Sequence, residues 1–194
     1  MRSSDSSLFI ISSPEVLKFI RKANGSDVSK KSGFGFALEA GFLVGAQGSK
    51  YDHPFSFNFI ATYNIDSKNL LGIGSGAEFL GKTFAPLLFE YKHQFNEKNV
   101  SPFVFFRSGA LLHFGSESQT DNGYPQYGVP RNYRGGVSMS AGTGISWTGE
   151  SITTYLSFAY RYAQTSYTET DYNNQNVTYK NYYNRLEVKI GFKF

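Results

Sequence analysis

The last eleven residues of the chain, Asn184 to Phe194, read NRLEVKIGFKF. Large apolar side chains alternate here with charged residues or glycine, and the apolar set is Leu186, Val188, Ile190, Phe192 and Phe194. A period of two indicates a β-strand whose two faces meet different environments. The class of protein therefore depends on which of these two faces is turned outward.

The same alternation recurs from Gly33 onward and predicts about eight strands. It is clearest in GFGFALEAGFLVGA, which begins at Gly33, and in FSFNFIATYNI, which begins at Phe55. The short polar connections NIDSKN, NEKN and TGES alternate with connections that are longer, apart from a short one around Gly81. Short turns at one end and long loops at the other are typical of outer-membrane barrels, whose tilted strands span about 9–11 residues.

Composition excludes several other classes of protein. The chain has no cysteine, so it has no disulfide and no thiolate metal site. Its formal charge of +4 is spread along the sequence without Lys/Arg runs, which argues against a nucleic-acid partner. No apolar run approaches the roughly 18 residues of a membrane-spanning helix, but a membrane barrel hides its apolar residues at every second position.

The polar face of the predicted strands is rich in glycine, serine and alanine, which suits the crowded interior of an eight-stranded barrel. A soluble up-and-down barrel would instead turn its apolar face inward, around a ligand. Buried charges persist only when they are paired. We expect the following residues to form a charge network in the lumen: Glu39, Glu78, Glu90, Lys92, Arg107, Arg161, Arg185, Glu187 and Lys189.

Large aromatic residues on the apolar face cluster near the predicted strand ends. Two aromatic belts are typical of the two interfaces of a bilayer. We expect the belt near the short turns to contain Tyr63, Tyr91, Phe95 and Trp147, and the belt near the long loops to contain Phe55, Phe114, Tyr160 and Tyr162.

From Gly33 to Phe194 the chain resembles the small bacterial outer-membrane β-barrels of the OmpA/OmpX type and the related porin-family β-barrel domains. The stretch LEVKIGFKF, with its terminal Phe194, resembles the C-terminal aromatic signal that such proteins present to the barrel-assembly machinery. The resemblance implies an all-β fold, an eight-stranded antiparallel up-and-down transmembrane β-barrel. It also implies a bacterial outer-membrane location, with outer-membrane lipid, lipopolysaccharide and the assembly machinery as partners.

Residues 1–32 precede the alternating pattern and predict an N-terminal extension, which leaves residues 33–194 as the barrel. In SSPEVLKFIRKANG, Ser13 suits a helix cap, Pro14 the first helical position and Gly25 the stop, so we expect a short amphipathic helix over about residues 14–24. A polar linker follows this helix. LFII is too short for the apolar region of a signal peptide, which needs about 7–15 residues. If the protein is exported, we therefore expect this chain to be a processed or trimmed form of it.

The remaining motifs do not predict a catalytic, metal or cofactor site. GAEFLGKT, from Gly76 to Thr83, matches the letters of a phosphate-binding loop, but the pattern that follows is a strand and not the required helix. The three histidines, His53, His93 and His113, lie on different elements without metal-ligand spacing.

We expect an outer-membrane barrel without enzymatic activity and with a plugged lumen, in a structural or surface-interaction role. Its Tyr/Asn-rich loops lie at the cell surface in this interpretation, where a surface ligand or protein is the expected partner. Three alternatives stay open. The first is a narrow porin-like channel, and the second is a soluble lipocalin-like barrel that binds a ligand. The third is a lipid A-modifying enzyme that uses His113 with the nearby stretch 116–118.

Overall fold

The computed structural model describes residues 33–45, 54–80, 82–114, 131–170 and 175–194. The N-terminal extension and its expected helix lie outside these residues. Within them the chain forms nine strands: β1 (Gly33–Val44), β2 (Phe55–Asn64), β3 (Asn69–Phe79), β4 (Thr83–Gln94), β5 (Val100–His113), β6 (Arg131–Arg134), β7 (Gly136–Thr148), β8 (Thr153–Thr170) and β9 (Asn176–Lys193). No helix in this described part is long and apolar enough to cross a membrane.

The strands form one closed antiparallel sheet. Apart from the short β6, strands that follow one another in the sequence pair with each other around the wall, and β9 pairs with both β8 and β1. Strands β6 and β7 are separated by Gly135 alone and both pair with β8, so the wall has eight strands around its circumference. The predicted all-β class, an eight-stranded antiparallel up-and-down barrel, is confirmed.

The stretch NRLEVKIGFKF closes the barrel. Its residues pair with β1 from Leu186 opposite Val44 to Lys193 opposite Ala37. The pairing continues to the last residue, because the backbone N–H of Phe194 donates to the carbonyl of Phe36 at 2.8 Å. Since no strand edge is left open at this seam, the backbone polar groups of both strands are satisfied within the sheet.

The outward face of the wall is apolar. Phe34, Ile73 and Phe114 are 87%, 70% and 70% exposed, and many other large apolar side chains share this orientation. From the short turns up to Tyr162 on β8 and Asn184 on β9, no outward-facing position of the described strands holds Asp, Glu, Lys or Arg. This distribution is the reverse of that in a soluble up-and-down barrel, whose outer face meets water.

The interior holds more large rings than the alternation alone indicates. Phe103, Phe105, Tyr155 and Ala159 form a buried cluster near the short turns. A second buried cluster lies near the long connections and contains Leu43, Leu80, Phe84, Leu111 and Ala163, with Tyr183 packed against it. The charged side chains thus lie between an apolar layer at each end of the lumen.

Interior glycines make room for these rings. A Cβ atom on Gly144 would lie 2.4 Å from Cζ of Phe103 and 2.3 Å from the carbonyl oxygen of Leu156. A Cβ atom on Gly191 would lie 2.3 Å from the ring of Tyr155. Glycine is therefore required at both positions by close approach of a neighbour, which agrees with the meaning of glycine inside strands.

Strands β8 and β9 continue beyond the wall as a protruding hairpin. Their pairing extends to Thr170 opposite Asn176, and residues 176–180 are exposed on both faces of the hairpin. Strand β6 adds a third strand to this sheet, with Tyr133 opposite Tyr167. The alternation of residues on both sides of Asn173 and Asn174 in the sequence predicts such a continued hairpin, and the pairing bears this out as far as Thr170 and Asn176.

The close contact at Gly144 leads to a stability prediction. We expect Gly144→Ala to lower the free energy of unfolding by about 1–3 kcal/mol, because the added methyl group must displace the Phe103 ring or the β8 backbone. The measurement is urea unfolding of the protein in lipid vesicles. Gly33→Ala is the matched control, since a Cβ atom at Gly33 meets nothing within 4 Å. Equal stability of both variants would contradict the tight interior packing.

Candidate functional site

The charged side chains of the barrel are gathered in its interior. The structure places nine of them there, none more than 6% exposed, and they are the nine that alternation assigns to the lumen: Glu39, Glu78, Glu90, Lys92, Arg107, Arg161, Arg185, Glu187 and Lys189. Four are anionic and five are cationic. A dry interior tolerates such groups only when their charges and hydrogen bonds are matched.

Arg107 is the centre of this network. Its Nε donates to Glu90 Oε2 at 2.5 Å, its Nη2 to Glu39 Oε1 at 2.5 Å and its Nη1 to Glu187 Oε1 at 3.3 Å. Glu90 is on the neighbouring strand β4, but Glu39 is on β1, halfway around the wall from β5. The guanidinium therefore bridges the lumen, and its fork of five donors suits this task.

Arg161 makes a second bridge, nearer the long connections. Its Nη2 donates to Glu78 Oε2 at 2.6 Å and to Ser138 Oγ at 3.0 Å, and its Nη1 donates to Glu187 Oε2 at 3.2 Å. Arg161 is on β8 and Glu78 is on β3, which are again on opposite sides of the wall. Glu187 thus joins the two arginine bridges into one network.

The two lysines occupy different surroundings. Lys189 Nζ lies 3.2 Å from Glu187 Oε2, and Asn58 is placed for its amide oxygen to accept from this ammonium at 2.8 Å. Lys92 Nζ lies 3.3 Å from Glu90 Oε1 and also over two rings, 4.1 Å from the centroid of Tyr155 and 4.9 Å from that of Phe103. Cation–π contact adds to the ion pair at this end of the lumen.

Two further contacts complete the interior. Tyr155 donates from its hydroxyl to Glu39 Oε1 at 2.7 Å, which ties the aromatic layer to the charges. Arg185 donates from Nη1 to the carbonyl of Leu43 at 3.4 Å, and its guanidinium lies 5.4 Å from the Tyr183 ring. Every anionic side chain of the network thus faces a guanidinium or ammonium group. In the described residues no group of His, Cys, Asp and Glu has the arrangement that a metal ion needs.

The aromatic residues that alternation assigns to the two interfaces lie on the outer face. Tyr63, Tyr91, Phe95 and Trp147 are exposed near the short turns, and Phe55, Phe114 and Tyr160 are exposed near the long connections. Tyr162 is half-buried, because its ring stacks on that of Tyr182 at a centroid distance of 6.4 Å. Cross-strand ring pairs also occur between Phe34 and Tyr63, at 4.9 Å.

His113 lies in a row of rings that sequence reasoning did not anticipate. Its ring is 5.5 Å from Phe84 and 5.6 Å from Tyr133. The row continues from Tyr133 to Tyr167 at 5.5 Å, and from Tyr167 to Tyr179 at 5.1 Å. It joins the apolar layer of the lumen to the protruding sheet. The stretch 116–118, which the enzyme alternative requires beside His113, lies outside the described residues.

These features define a class of protein by its fold, a closed eight-stranded barrel with charges inside and apolar side chains outside. No protein-family model matches the chain, and no curated protein matches it in sequence. Several solved structures share the fold, and two of them are outer membrane proteins. One is the solid-state NMR structure of outer membrane protein AlkL in DMPC lipid bilayers, with 14% identity, a TM-score of 0.51, and coverage of 84% of this chain and 87% of that one.

The other is the crystal structure of the outer membrane protein OprG from Pseudomonas aeruginosa. It has 11% identity and a TM-score of 0.54, and the match covers 83% of this chain and 93% of that one. At such low identity the likeness concerns the fold alone. It extends over more than four fifths of this chain and of each of the two other chains.

The position of Arg107 leads to a second stability prediction. We expect Arg107→Met to lower the free energy of unfolding by about 3–5 kcal/mol, because it leaves Glu39, Glu90 and Glu187 buried near one another with less compensating charge. The measurement is unfolding by denaturant in lipid vesicles at neutral pH. Lys98→Met, at an exposed turn position, is the control and should change the stability by less than about 0.5 kcal/mol. A loss at Arg107 no larger than the loss at Lys98 would contradict the bridging role.

Proposed function

We propose that this chain is an integral β-barrel protein of the bacterial outer membrane. The observation that carries the proposal is the inversion of the barrel: large apolar residues face outward while Glu39, Arg107 and Glu187 are buried inside it. An apolar exterior of this extent is unfavourable in water and favourable against hydrocarbon. A closed sheet also leaves no unpaired backbone groups for lipid to meet, a condition that only helices and closed barrels fulfil.

We propose further that the lumen is closed. The charged layer lies between the apolar cluster around Phe103 near the short turns and the apolar cluster around Phe84 near the long connections. Both arginine bridges cross the interior between opposite strands. An eight-stranded barrel is only wide enough for side chains to fill, so these residues support a plug and not an open channel.

The proposed role is at the cell surface and without catalysis. The protruding sheet of β6, β8 and β9 carries Tyr133, Tyr167 and Tyr179, and Lys82 Nζ lies 5.2 Å from the centroid of the Tyr133 ring. Tyrosine supplies a large, rigid and amphipathic contact area in recognition surfaces. Lipopolysaccharide around the outer rim and the assembly machinery, which would read the terminal Phe194, are the further partners in this proposal.

The membrane location predicts a specific behaviour in detergent. We expect the folded protein to leave bacterial membranes only with detergent and to migrate on a denaturing gel at one apparent mass unheated and at another after boiling. The reason is that a closed hydrogen-bonded sheet resists the detergent until it is heated. A chain that is folded and monodisperse in buffer without detergent would overturn the proposal.

The closed lumen predicts silence in planar lipid bilayers. One observation favours the channel alternative. The buried atoms Glu39 Oε2 and Arg161 Nε have no hydrogen-bond partner in the structure, and water in the lumen would supply one. We expect no discrete conductance steps from protein whose folding is verified by the heat shift. Reproducible steps that change when Arg107 is replaced by alanine would show that the lumen conducts and would favour the channel.

A further inference from the structure

A polar cluster interrupts the apolar outer face at the short-turn end of the barrel. It consists of Asp66 in the turn between β2 and β3, Asn69 at the start of β3, and Tyr91 and His93 near the end of β4; these four residues are called the rim cluster below. The pairing of Asn69 with His93 across β3 and β4 brings them together. Tyr91 and His93 share the outward face because they are two positions apart on one strand.

Hydrogen bonds fix the orientation of this cluster. Asp66 Oδ1 accepts from the backbone N–H groups of Lys68 and Asn69, both at 2.7 Å, and Asp66 Oδ2 accepts from Asn69 Nδ2 at 2.8 Å. Because the Asn69 amide nitrogen is directed at a carboxylate, the Asn69 amide oxygen must serve as the acceptor of the cluster. It accepts from the Tyr91 hydroxyl at 2.7 Å and lies 2.8 Å from His93 Nδ1.

This arrangement assigns the histidine tautomer. An amide oxygen only accepts, so the contact at 2.8 Å requires the proton to be on Nδ1 of His93. In the neutral ring, the other nitrogen, Nε2, carries a lone pair. The ring of Phe95 packs edge-on against the imidazole at 5.5 Å and holds it in place. The cluster therefore presents the acceptor Nε2 and the remaining lone pairs of the Tyr91 hydroxyl.

The carboxylate of Asp66 places a negative charge in the same cluster as these two acceptors. Hydrogen bonds from the Asn69 side chain and from the backbone of Lys68 and Asn69 lower the pKa of Asp66, so its carboxylate is ionised at neutral pH. A ligand that suits two acceptors and a nearby carboxylate carries positive charge and N–H donors. A primary ammonium has three such donors, whereas a quaternary ammonium has none.

The position of the cluster suggests where such an ammonium comes from. The rim cluster shares the short-turn end of the outer face with Tyr63 and Trp147, and aromatic residues of this kind lie at the headgroup level of membrane barrels. Lys68 is exposed on the same turn and provides positive charge for a phosphate. An ethanolamine phospholipid carries both groups, the primary ammonium and the phosphate.

We propose that the rim cluster is a binding site for the headgroup of an ethanolamine phospholipid, whose ammonium donates to His93 Nε2 and to the Tyr91 hydroxyl. This inference rests on the membrane location proposed above. The site would hold one lipid in the leaflet at the short-turn end and would fix the height of the barrel in the bilayer there.

The test compares two lipids that differ only in the headgroup amine. Native mass spectrometry of the detergent-solubilised barrel would measure retention of phosphatidylethanolamine and of phosphatidylcholine with the same acyl chains. We expect about tenfold stronger retention of the ethanolamine lipid, which corresponds to one hydrogen bond with a charged group. His93→Phe should reduce this preference, because phenylalanine keeps a ring at the interface but offers no acceptor, which leaves only the Tyr91 hydroxyl.

A matched control exists at the opposite rim. There the Tyr160 hydroxyl donates to Asn184 Oδ1 at 2.9 Å, a pair that resembles Tyr91 with Asn69. Tyr160→Phe should leave the preference unchanged, and Tyr91→Phe should reduce it. Nitrogen NMR of His93 gives an independent readout: we expect the Nδ1–H tautomer, and a shift of the Nε2 resonance on addition of the ethanolamine lipid but not of the choline lipid.

Equal retention of both lipids by the unsubstituted protein would overturn the inference, and so would a preference that His93→Phe leaves unchanged. Equal occupancy by soluble phosphoethanolamine would overturn the assignment to a membrane lipid. These outcomes are separate from failure of the membrane proposal, because the heat shift first establishes a folded, detergent-dependent barrel. A barrel with a heat shift and no headgroup preference contradicts the rim site alone.

Discussion

The contact of Arg107 with three carboxylates from three strands is the interaction on which the rest of the interior depends. Glu39, Glu90 and Glu187 could not lie within reach of one another in a dry lumen without a cation between them. A buried ion pair is weak evidence for net stability, since its desolvation cost offsets most of the attraction. Its clearer effect is on which structure forms, because a misplaced strand leaves an unpaired charge.

Strand register shows this effect most directly. Because the side-chain period is two, a slip of one residue along β5 would turn Arg107 outward and Phe106 inward. In a membrane the exposed guanidinium would then cost about 2–4 kcal/mol near the midplane, and the three glutamates would lose their shared partner. The same reasoning holds for Arg161 on β8. The charges thus penalise incorrect registers from both sides of the wall, the lumen and the exterior.

The alternation in the sequence determines which residues face inward, and this was sufficient for the barrel class and for the orientation of the charged face. It could not determine which inward residues meet across the lumen, because that depends on closure, tilt and stagger of all eight strands. Phe103 and Tyr155 show the difference. Their rings form an inner aromatic layer with Lys92, and the only local sign of this layer is glycine at positions 144 and 191, where the rings need space.

The rim cluster was outside the reach of sequence reasoning for a similar reason. His93 is isolated in the sequence, without ligand spacing to any other histidine, and alternation alone places it in an apolar face. Only the pairing of Asn69 with His93 across two strands gives it a partner, and only the turn geometry around Asp66 gives that partner an orientation. The hydrogen-bond partner of a polar residue on an apolar face therefore cannot be inferred until the pairing register of its strand is known. With the register, the proton on Nδ1 of His93 and the acceptor role of the Asn69 amide oxygen follow from hydrogen-bond valence.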